Sequence, residues 1–364
     1  MKKITRRNFL ALTAATGAAL ALTACSEETT TTTTDTTTAD TTTDTTSDAA
    51  ADAVEYKVGI VNWVDHASLN QIVSSIEGQL DALAAASGGA CTFNYADFAA
   101  NANADATTLN QIGADLLADD VDAIVAIASP VAAVMQTVIE DTDVPVIYAA
   151  VSDPETSGLT GNPMITGASD ALNTDAIMNL ILATVPAATT IGLLYDLSQD
   201  SSLQAIADAK AYCDANGLSY VEKNGTTTGE VMLAAETLVA AGVDAIFTPS
   251  DNTVMTAELS IYETFIDAGV PHFGGADSFA LNGAFCGYGV DYAQLGVAVG
   301  DILAQVLVDG VAPADIPYMT FDNGLATVNT ETCDALGYDL EEIKTAFDPY
   351  CTEFLETVTD IEFE

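Results

Sequence analysis

The feature that most constrains the fold is a series of short apolar runs that occurs twice along the chain, in the same order. The matching runs are 57–62 with 190–195, 122–128 with 243–249, and 144–151 with 270–275. Val121-Asp122-Ala123-Ile124 returns as Val243-Asp244-Ala245-Ile246. Continuous apolar runs are typical of parallel strands covered on both faces, and helical patterns such as 68–86 separate them. The sequence therefore predicts two α/β domains of like topology, each with an open and mostly parallel sheet, and a chance recurrence of common patterns is the alternative.

The first residues of the chain read as an export signal. A basic start at 1–10 leads into a small apolar run at 11–22, which is too short for a permanent transmembrane helix. Leu22-Thr23-Ala24-Cys25 looks like a lipobox, so we expect a signal peptide at 1–24 and lipid acylation of Cys25. The pair Arg6-Arg7 resembles a twin-arginine signal, with the general export route as the alternative. The protein is expected to be exported and lipid-anchored on the outer face of the cytoplasmic membrane.

The composition after the leader separates a tether from a folded region. Residues 25–54 form a lipid anchor and a tract of Thr, Asp and Ala, which has too little apolar surface to offset the entropy of ordering it. The folded region runs from about residue 55 to 348, more than one core usually supports. Residues 349–364 are expected to form an acidic C-terminal tail.

The charge of the chain excludes one class of partner and limits how ligands are held. Eight Lys and Arg residues stand against 53 Asp and Glu, a formal net charge of −45, so nucleic-acid binding is excluded. After the leader the only cations are Lys57, Lys210, Lys223 and Lys344, and there is no arginine. A bound carboxylate must therefore rely on hydroxyls and backbone N–H groups.

The chain lacks the motifs of common catalytic and metal sites. No nucleophile elbow, Walker loop, dinucleotide fingerprint or zinc spacing is present, so no metal and no cofactor are predicted. The histidines are His66 and His272, and His272 falls in a strand, where a structural role is favoured. The cysteines after Cys25 are read as small buried side chains, with a Cys333–Cys351 disulfide as the alternative.

Polar residues follow several of the apolar runs, where the carboxyl ends of parallel strands form a ligand crevice. Ser129, followed by Pro130, either caps the next helix or lies at a helix N-terminus that receives a carboxylate. Asp153, Asp251 and Asp277 each either cap a turn or meet an ammonium group from the cleft.

Amide and aromatic side chains follow the first strand of each half. Asn62, Trp63 and His66 come after the first run, and Tyr195 ends its counterpart. The aromatic rings are predicted to stack on a flat ligand group, with ordinary core packing as the alternative.

Together these motifs resemble a known family of binding proteins. The stretches that carry the resemblance are 58–61 with His66, 126–130, 150–154, 194–195, 249–254, 276–278, and 289–292 with Gly296. Residues 55–347 are similar to the substrate-binding proteins of ABC importers, specifically the tryptophan and tyrosine uptake group. The resemblance implies an α/β periplasmic-binding-protein fold of type I, with two Rossmann-like lobes joined by a three-crossover hinge. It implies lobe 1 at 55–168 plus 290–318, and lobe 2 at 169–289 plus 319–348.

The same resemblance implies roles for the residues at the strand ends. Ser129 and the neighbouring backbone would receive the ligand carboxylate, and the three aspartates would contact its ammonium or polar groups. The implied walls of the cleft are Asn62, His66, Tyr195 and Asn252. Where the family more often has acid-His-Pro-Ala-Leu-Asp, this chain has Asp65-His66-Ala67-Ser68-Leu69-Asn70, a loop that shapes the side-chain pocket.

The implied function is capture rather than catalysis. A monomer would bind a small amino acid, with an aromatic one preferred, and deliver it to an ABC permease and its ATPase. Contact with the membrane would be through the lipid anchor only. The alternatives are a surface sensor with the same fold and a cleft hydrolase that uses His66, for which no nucleophile can be named.

Overall fold

The computed structural model describes residues 53–321 and 323–360. These residues form two sheets, and the first is parallel. Its strand order is β12-β6-β5-β4-β1-β2, and β3 pairs with the last residues of β1. The strands of this sheet are β1 (Val54–Asn62), β2 (Cys91–Asn94), β3 (Ala99–Asn101), β4 (Ala123–Ile127), β5 (Val146–Ala149), β6 (Ile165–Ser169) and β12 (Met319–Thr320). We call the half of the molecule built on this sheet lobe 1.

The second sheet repeats the plan of the first. Its order is β14-β13-β11-β10-β9-β7-β8, and each pairing is parallel except the antiparallel pair β11 with β13. The strands are β7 (Thr190–Tyr195), β8 (Ser219–Asn224), β9 (Ala245–Thr248), β10 (His272–Gly274), β11 (Cys286–Gly289), β13 (Leu325–Asn329) and β14 (Glu353–Thr357). This half is lobe 2. The α/β fold with two mostly parallel sheets, predicted from the sequence, is confirmed.

The repeated Val-Asp-Ala-Ile has the same structural task in both lobes. Asp122 Oδ2 accepts a hydrogen bond of 2.8 Å from the N–H of Lys57, and Asp244 Oδ2 accepts one of 2.9 Å from Thr190. The backbone N–H of each aspartate returns a bond of 2.8 Å to the same residue. Each aspartate therefore ties the start of the central strand to the strand beside it.

Helices cover both faces of each sheet. Their ranges are α1 (Ala67–Ala86), α2 (Ala106–Ala118), α3 (Ser129–Val138), α4 (Thr174–Thr184), α5 (Asp200–Asn216), α6 (Thr228–Ala240), α7 (Asn252–Ala268), α8 (Asp277–Leu281), α9 (Tyr292–Leu307), α10 (Thr330–Ala335) and α11 (Leu340–Phe347). A 3-10 turn occupies Pro313–Asp315. In lobe 1, buried Val58 and Ile60 pack on one face and Val61 and Ile124 on the other.

Close packing of α1 against α9 depends on two glycines. A Cβ at Gly296 would lie 2.8 Å from the carbonyl oxygen of Ile72, and one at Gly300 would lie 2.8 Å from Gln79. The two helix backbones can approach this closely because neither glycine has a side chain. This packing fixes α1, which begins at the cleft, against the helix that follows the second crossover.

The chain crosses between the two sheets three times. The crossings follow β6 at Ser169, β11 at Gly289 and β12 at Thr320. Residues 319–320, which the sequence reading gave to lobe 2, pair with β6 in lobe 1. Residues 353–357, within the segment 349–364 expected to be a tail, form β14 instead, which pairs with β13, and Phe354 packs against Phe347.

Several sequence predictions fall on residues outside the described ranges. The signal peptide, Cys25 and the tether up to residue 52 are among them. Cys91, Cys213, Cys286, Cys333 and Cys351 are free thiols in the structure. Among the helices of residues 53–321 and 323–360, none combines the length and apolarity needed to cross a membrane.

Candidate functional site

A cavity lies between the carboxyl ends of the strands of the two lobes. Its enclosed space is about 20 Å³, room for about one water molecule with the lobes in this arrangement. Lobe 1 contributes His66, Ser68, Ala128, Ser129, Ala150 and Ser152, and lobe 2 contributes Ser250, Asp251, Asn252, Met255 and Ala276. Asp170 and Tyr292, from the first two crossovers, complete the main walls.

The helix α3 begins at this cavity without a side-chain cap. Its N-cap is Ala128, with φ 79° and ψ 153°, and Pro130 has no N–H. The N–H groups of Val131 and Ala132 both donate to the carbonyl oxygen of Ala128. Within the described part of the chain, the N–H of Ser129 has no acceptor, and Ser129 is buried. An acceptor from a ligand can therefore bind at the positive end of this helix.

The equivalent helix of lobe 2, α7, is capped by its own chain. Asp251 accepts bonds of 3.0 Å from the N–H groups of Thr253 and Val254. Its other oxygen accepts 2.7 Å bonds from the Asp196 N–H and the Ser202 hydroxyl. Burial raises the pKa of Asp251 to about 6, against the effect of these donors. Asp251 lines the cavity, but the protein already supplies four donors to its carboxylate.

His66 joins the two lobes across the cavity. Its Nε2 lies 3.0 Å from Oδ1 of Asn252, while its Nδ1 accepts from the Leu69 N–H and caps α1. This pattern assigns the proton to Nε2, because Nδ1 is an acceptor. The Nδ2 of Asn252 donates to Gln199 at 2.9 Å, which fixes the amide orientation. Burial lowers the pKa of His66 to about 4, so the ring is neutral at pH 7.

A second contact between the lobes lies at the start of α1. The hydroxyl of Ser68 lies 2.8 Å from Oδ1 of Asp277 and 2.7 Å from the hydroxyl of Ser278. Burial raises the pKa of the Asp277 carboxyl. Together with the His66–Asn252 bond, these contacts hold the facing surfaces of the two lobes together.

The first crossover brings a buried carboxyl, that of Asp170, into the cavity. This residue was not predicted from the sequence. Asp170 accepts a bond of 2.9 Å from the Ser152 hydroxyl and one of 3.3 Å from the Tyr292 hydroxyl. Burial raises the pKa of Asp170 and moves that of Tyr292 well above its usual value. Both residues lie close to the lobe boundaries implied by the resemblance, at 168/169 and 289/290, and that position was the available signal for them.

Four of the residues predicted from the sequence line the cavity: His66, Ser129, Asp251 and Asn252. The other predicted residues lie outside its walls. The carboxylate of Asp153 accepts from the Thr156 N–H at 2.9 Å, and this bonding lowers its pKa. The hydroxyl of Tyr195 donates to Glu222 at 2.8 Å. Trp63 packs against the apolar core, and Asn62 donates to Asn70 at 3.3 Å.

His272 forms a separate buried cluster within lobe 2. Its Nδ1 lies 2.9 Å from Oε1 of Glu258, and its Nε2 lies 2.8 Å from the hydroxyl of Thr248. Phe265 and Phe279 pack edge-on against its ring. Among the described residues, no group of three or more His, Cys, Asp or Glu side chains is placed to hold a metal ion. The cavity instead offers hydrogen-bond donors on one side and a carboxyl on another, an arrangement suited to a zwitterion.

Comparison with known proteins agrees with this geometry. Residues 57–346 match the family model for ABC transporter substrate binding protein. The tyrosine-binding protein of Clostridioides difficile (strain R20291) is 28% identical over 286 residues, which cover 77% of this chain and 80% of that protein.

Two solved structures resemble this chain over most of its length. The ABC domain in complex with L-Trp from Streptococcus pneumoniae has 27% identity and a TM-score of 0.73, with 83% of this chain and 100% of that chain covered. A ligand-free, open substrate binding protein with adhesive properties from Clostridium difficile has 26% identity and a TM-score of 0.63, with 84% and 100% covered. The chain therefore belongs to the family of ABC transporter substrate binding proteins.

Proposed function

We propose that the protein captures an aromatic amino acid between its lobes and delivers it to an ABC permease on the outer side of the cytoplasmic membrane. The observation that carries this proposal is the uncapped N-terminus of α3 inside a cavity between the lobes. The N–H and hydroxyl of Ser129 would hold the ligand carboxylate there, with the helix dipole favouring the negative charge. No arginine is needed for such a site.

The relatives and the apolar walls support an aromatic side chain. One relative is named for tyrosine binding and another was crystallised with L-Trp. Leu69, Met255 and Tyr292 supply apolar or aromatic surface to the cavity, which suits a flat ring. Trp63 and Tyr195, named from the sequence as stacking partners, lie outside these walls in the structure.

The proposed mechanism is closure of the hinge around the ligand, without chemistry. The ligand enters between open lobes, contacts both, and stabilises the closed form that a permease would recognise. His66 caps α1 and bonds Asn252 in this form, so it has a structural task at the cleft rather than a catalytic one. We further propose that a lipid on Cys25 holds a monomer close to the permease and its ATPase.

Melting-temperature shifts test the proposed ligand class directly. A ligand that binds the folded protein raises its stability by about 2.7 kcal/mol at a concentration of 100 times Kd. Tryptophan, tyrosine and phenylalanine would be compared with leucine, lysine and glucose at equal concentrations. We expect a clear upward shift with at least one aromatic amino acid. A shift only with glucose or with the non-aromatic amino acids would contradict the aromatic assignment.

A further inference from the structure

The buried carboxyl of Asp170 has no cation beside it. The side chain is 4% exposed, at the point where the chain first leaves lobe 1. Its contacts are the hydroxyls of Ser152 and Tyr292, and burial is the main influence on its titration. A buried carboxylate without a positive partner is costly, so such groups are usually paired or uncharged.

Three of the four lysines in the described part of the chain are engaged elsewhere. Lys57 donates to the carbonyl oxygen of Asp119, Lys210 pairs with Glu222, and Lys344 lies over the ring of Phe354. Lys223 lies in β8, at the edge of the second sheet. Neutral His66 lines the same cavity but is bonded to Asn252. Among the described residues no cation lies beside Asp170, so its carboxyl is either uncharged in this form or paired with a positive charge that a ligand brings.

The other two buried acids at the cleft are engaged by backbone groups. Asp251 accepts from three backbone N–H groups and a hydroxyl. Asp277 accepts from the Ser278 N–H and bridges the lobes through Ser68. Asp170 accepts side-chain bonds from two hydroxyls, and a carboxylate has about four acceptor positions. Of the three, Asp170 is the one that lines the cavity without a hydrogen bond from another residue's backbone N–H, which leaves acceptor positions for a ligand donor.

We propose that Asp170 binds the ammonium group of the ligand and makes the protein selective for amino acids over carboxylic acids that lack the amine. This inference rests on the proposed function, because it assumes a zwitterion with its carboxylate at the start of α3. The two groups line one cavity, with donors at Ser129 and an acceptor at Asp170. A zwitterion supplies the opposite charge at each end. Since Asp170 follows β6 directly and also contacts Tyr292, ligand binding there acts on two of the crossovers.

The test is a thermodynamic cycle between one protein group and one ligand group. Wild type and Asp170→Asn would be titrated calorimetrically with L-tryptophan and L-tyrosine and with the deamino analogue of each, which keeps the carboxylate and ring. We expect wild type to bind the amino acid about 10- to 100-fold more tightly than its analogue, as for a hydrogen bond to a charged group. In Asp170→Asn this preference should disappear, with affinity for the analogue unchanged or improved.

Controls separate failure of this inference from failure of the proposed function. Asp115→Asn removes one exposed charge from α2 and should keep the wild-type preference. Equal weakening of both ligands in Asp170→Asn would overturn the role of Asp170 while leaving aromatic binding intact. If Asp170→Asn does not fold, wild type alone still decides: equal affinity for tryptophan and its deamino analogue overturns the inference. Binding of no aromatic amino acid by wild type would overturn the proposed function itself.

Discussion

The two lobes start equivalent helices at the cleft in opposite ways. Helix α3 follows β4 and helix α7 follows β9, after the repeated Val-Asp-Ala-Ile in each half. In lobe 2 the terminus is closed by the Asp251 carboxylate, whereas in lobe 1 the N-cap is Ala128, with no side-chain hydrogen bond. A duplicated topology thus provides two helix ends at the cleft, of which one is capped by the protein and the other has no side-chain cap.

The first residues of α3 and α7 also differ in whether the protein satisfies their hydrogen-bonding groups. Asn252 is the first residue of α7, and its amide is bonded to both Gln199 and His66. Ser129 is the first residue of α3, and its N–H has no acceptor among the described residues. We conclude that lobe 2 contributes a preformed, internally bonded wall and that lobe 1 contributes the unsatisfied donor.

The largest expected effect is the loss of the cap on α7. Asp251→Ala removes the acceptor of four donors, three of them backbone N–H groups. We expect the free energy of unfolding to fall by about 3 kcal/mol, because buried donors are left without partners. Urea denaturation would measure the change. Asp251→Asn keeps one acceptor oxygen for the cap and should lose clearly less. A loss below about 1 kcal/mol in Asp251→Ala would show that the cap contributes little.

Giving lobe 1 the cap of lobe 2 should abolish ligand binding. Ala128→Asp places a carboxylate at the start of α3, where it competes with the ligand and repels its charge. We expect affinity for the aromatic amino acid to fall at least ~100-fold, since a charged contact is replaced by repulsion. Ala128→Gly is the matched control, because glycine suits the positive φ and adds no acceptor. Retained binding in Ala128→Asp would place the ligand carboxylate elsewhere.

The repeated apolar runs explain why the two sheets were predictable from the sequence while the different helix caps were not. Runs such as 122–128 and 243–249 are buried strands, so continuous apolarity was enough to predict both sheets. The caps were not predictable, because an aspartate after a strand can either cap the next helix or contact a ligand. The structure shows that Asp251 caps α7. Asp170 and Tyr292 reach the cleft through the crossovers, and only the path of the chain brings them together.

The C-terminal strand shows a second limit of the sequence. Glu353 and Glu356 made the last residues look like a solvated acidic tail. In the structure β14 lies at the edge of the second sheet, where both glutamates are exposed to solvent and Phe354 packs on Phe347. An exposed edge strand and a tail can have similar composition.

The titration of His66 should make the stability of the protein depend on pH. Its pKa of about 4, against an ordinary 6.5, means that the unfolded chain takes up a proton first as pH falls. Stability from this group is present above pH 6.5 and is lost towards pH 4, by about 2 kcal/mol between pH 7 and pH 5. The raised pKa of Asp251 has the opposite effect on stability as pH falls. Asp251 is present both in wild type and in a His66 variant, so its effect cancels when the two are compared.

The comparison for this pH effect is His66→Asn, which retains a good helix cap without a titrating ring. Urea midpoints between pH 7 and pH 5 should fall more in wild type than in the variant. Identical pH profiles for the two proteins would contradict a neutral, buried His66.

The smallest expected effect concerns the contact between the lobes at Ser68. Ser68→Ala removes the hydroxyl bonds to Asp277 and Ser278, each worth about 1 kcal/mol, so the ligand-free protein should be more open. Small-angle scattering should report a larger radius of gyration for the ligand-free variant than for wild type. Ser74→Ala on the same helix, whose hydroxyl bonds only Gln71, should leave the radius unchanged. An unchanged radius in Ser68→Ala would show that this contact does not hold the lobes together.

The central claim, that the open helix end of lobe 1 receives the ligand, is tested most directly by a crystal structure. The protein would be crystallised with the aromatic amino acid that gives the largest melting shift. We predict a ligand carboxylate oxygen within about 3 Å of the Ser129 nitrogen, between the closed lobes. A ligand bound with its carboxylate away from Ser129, while the N-terminus of α3 stays free, would contradict the claim.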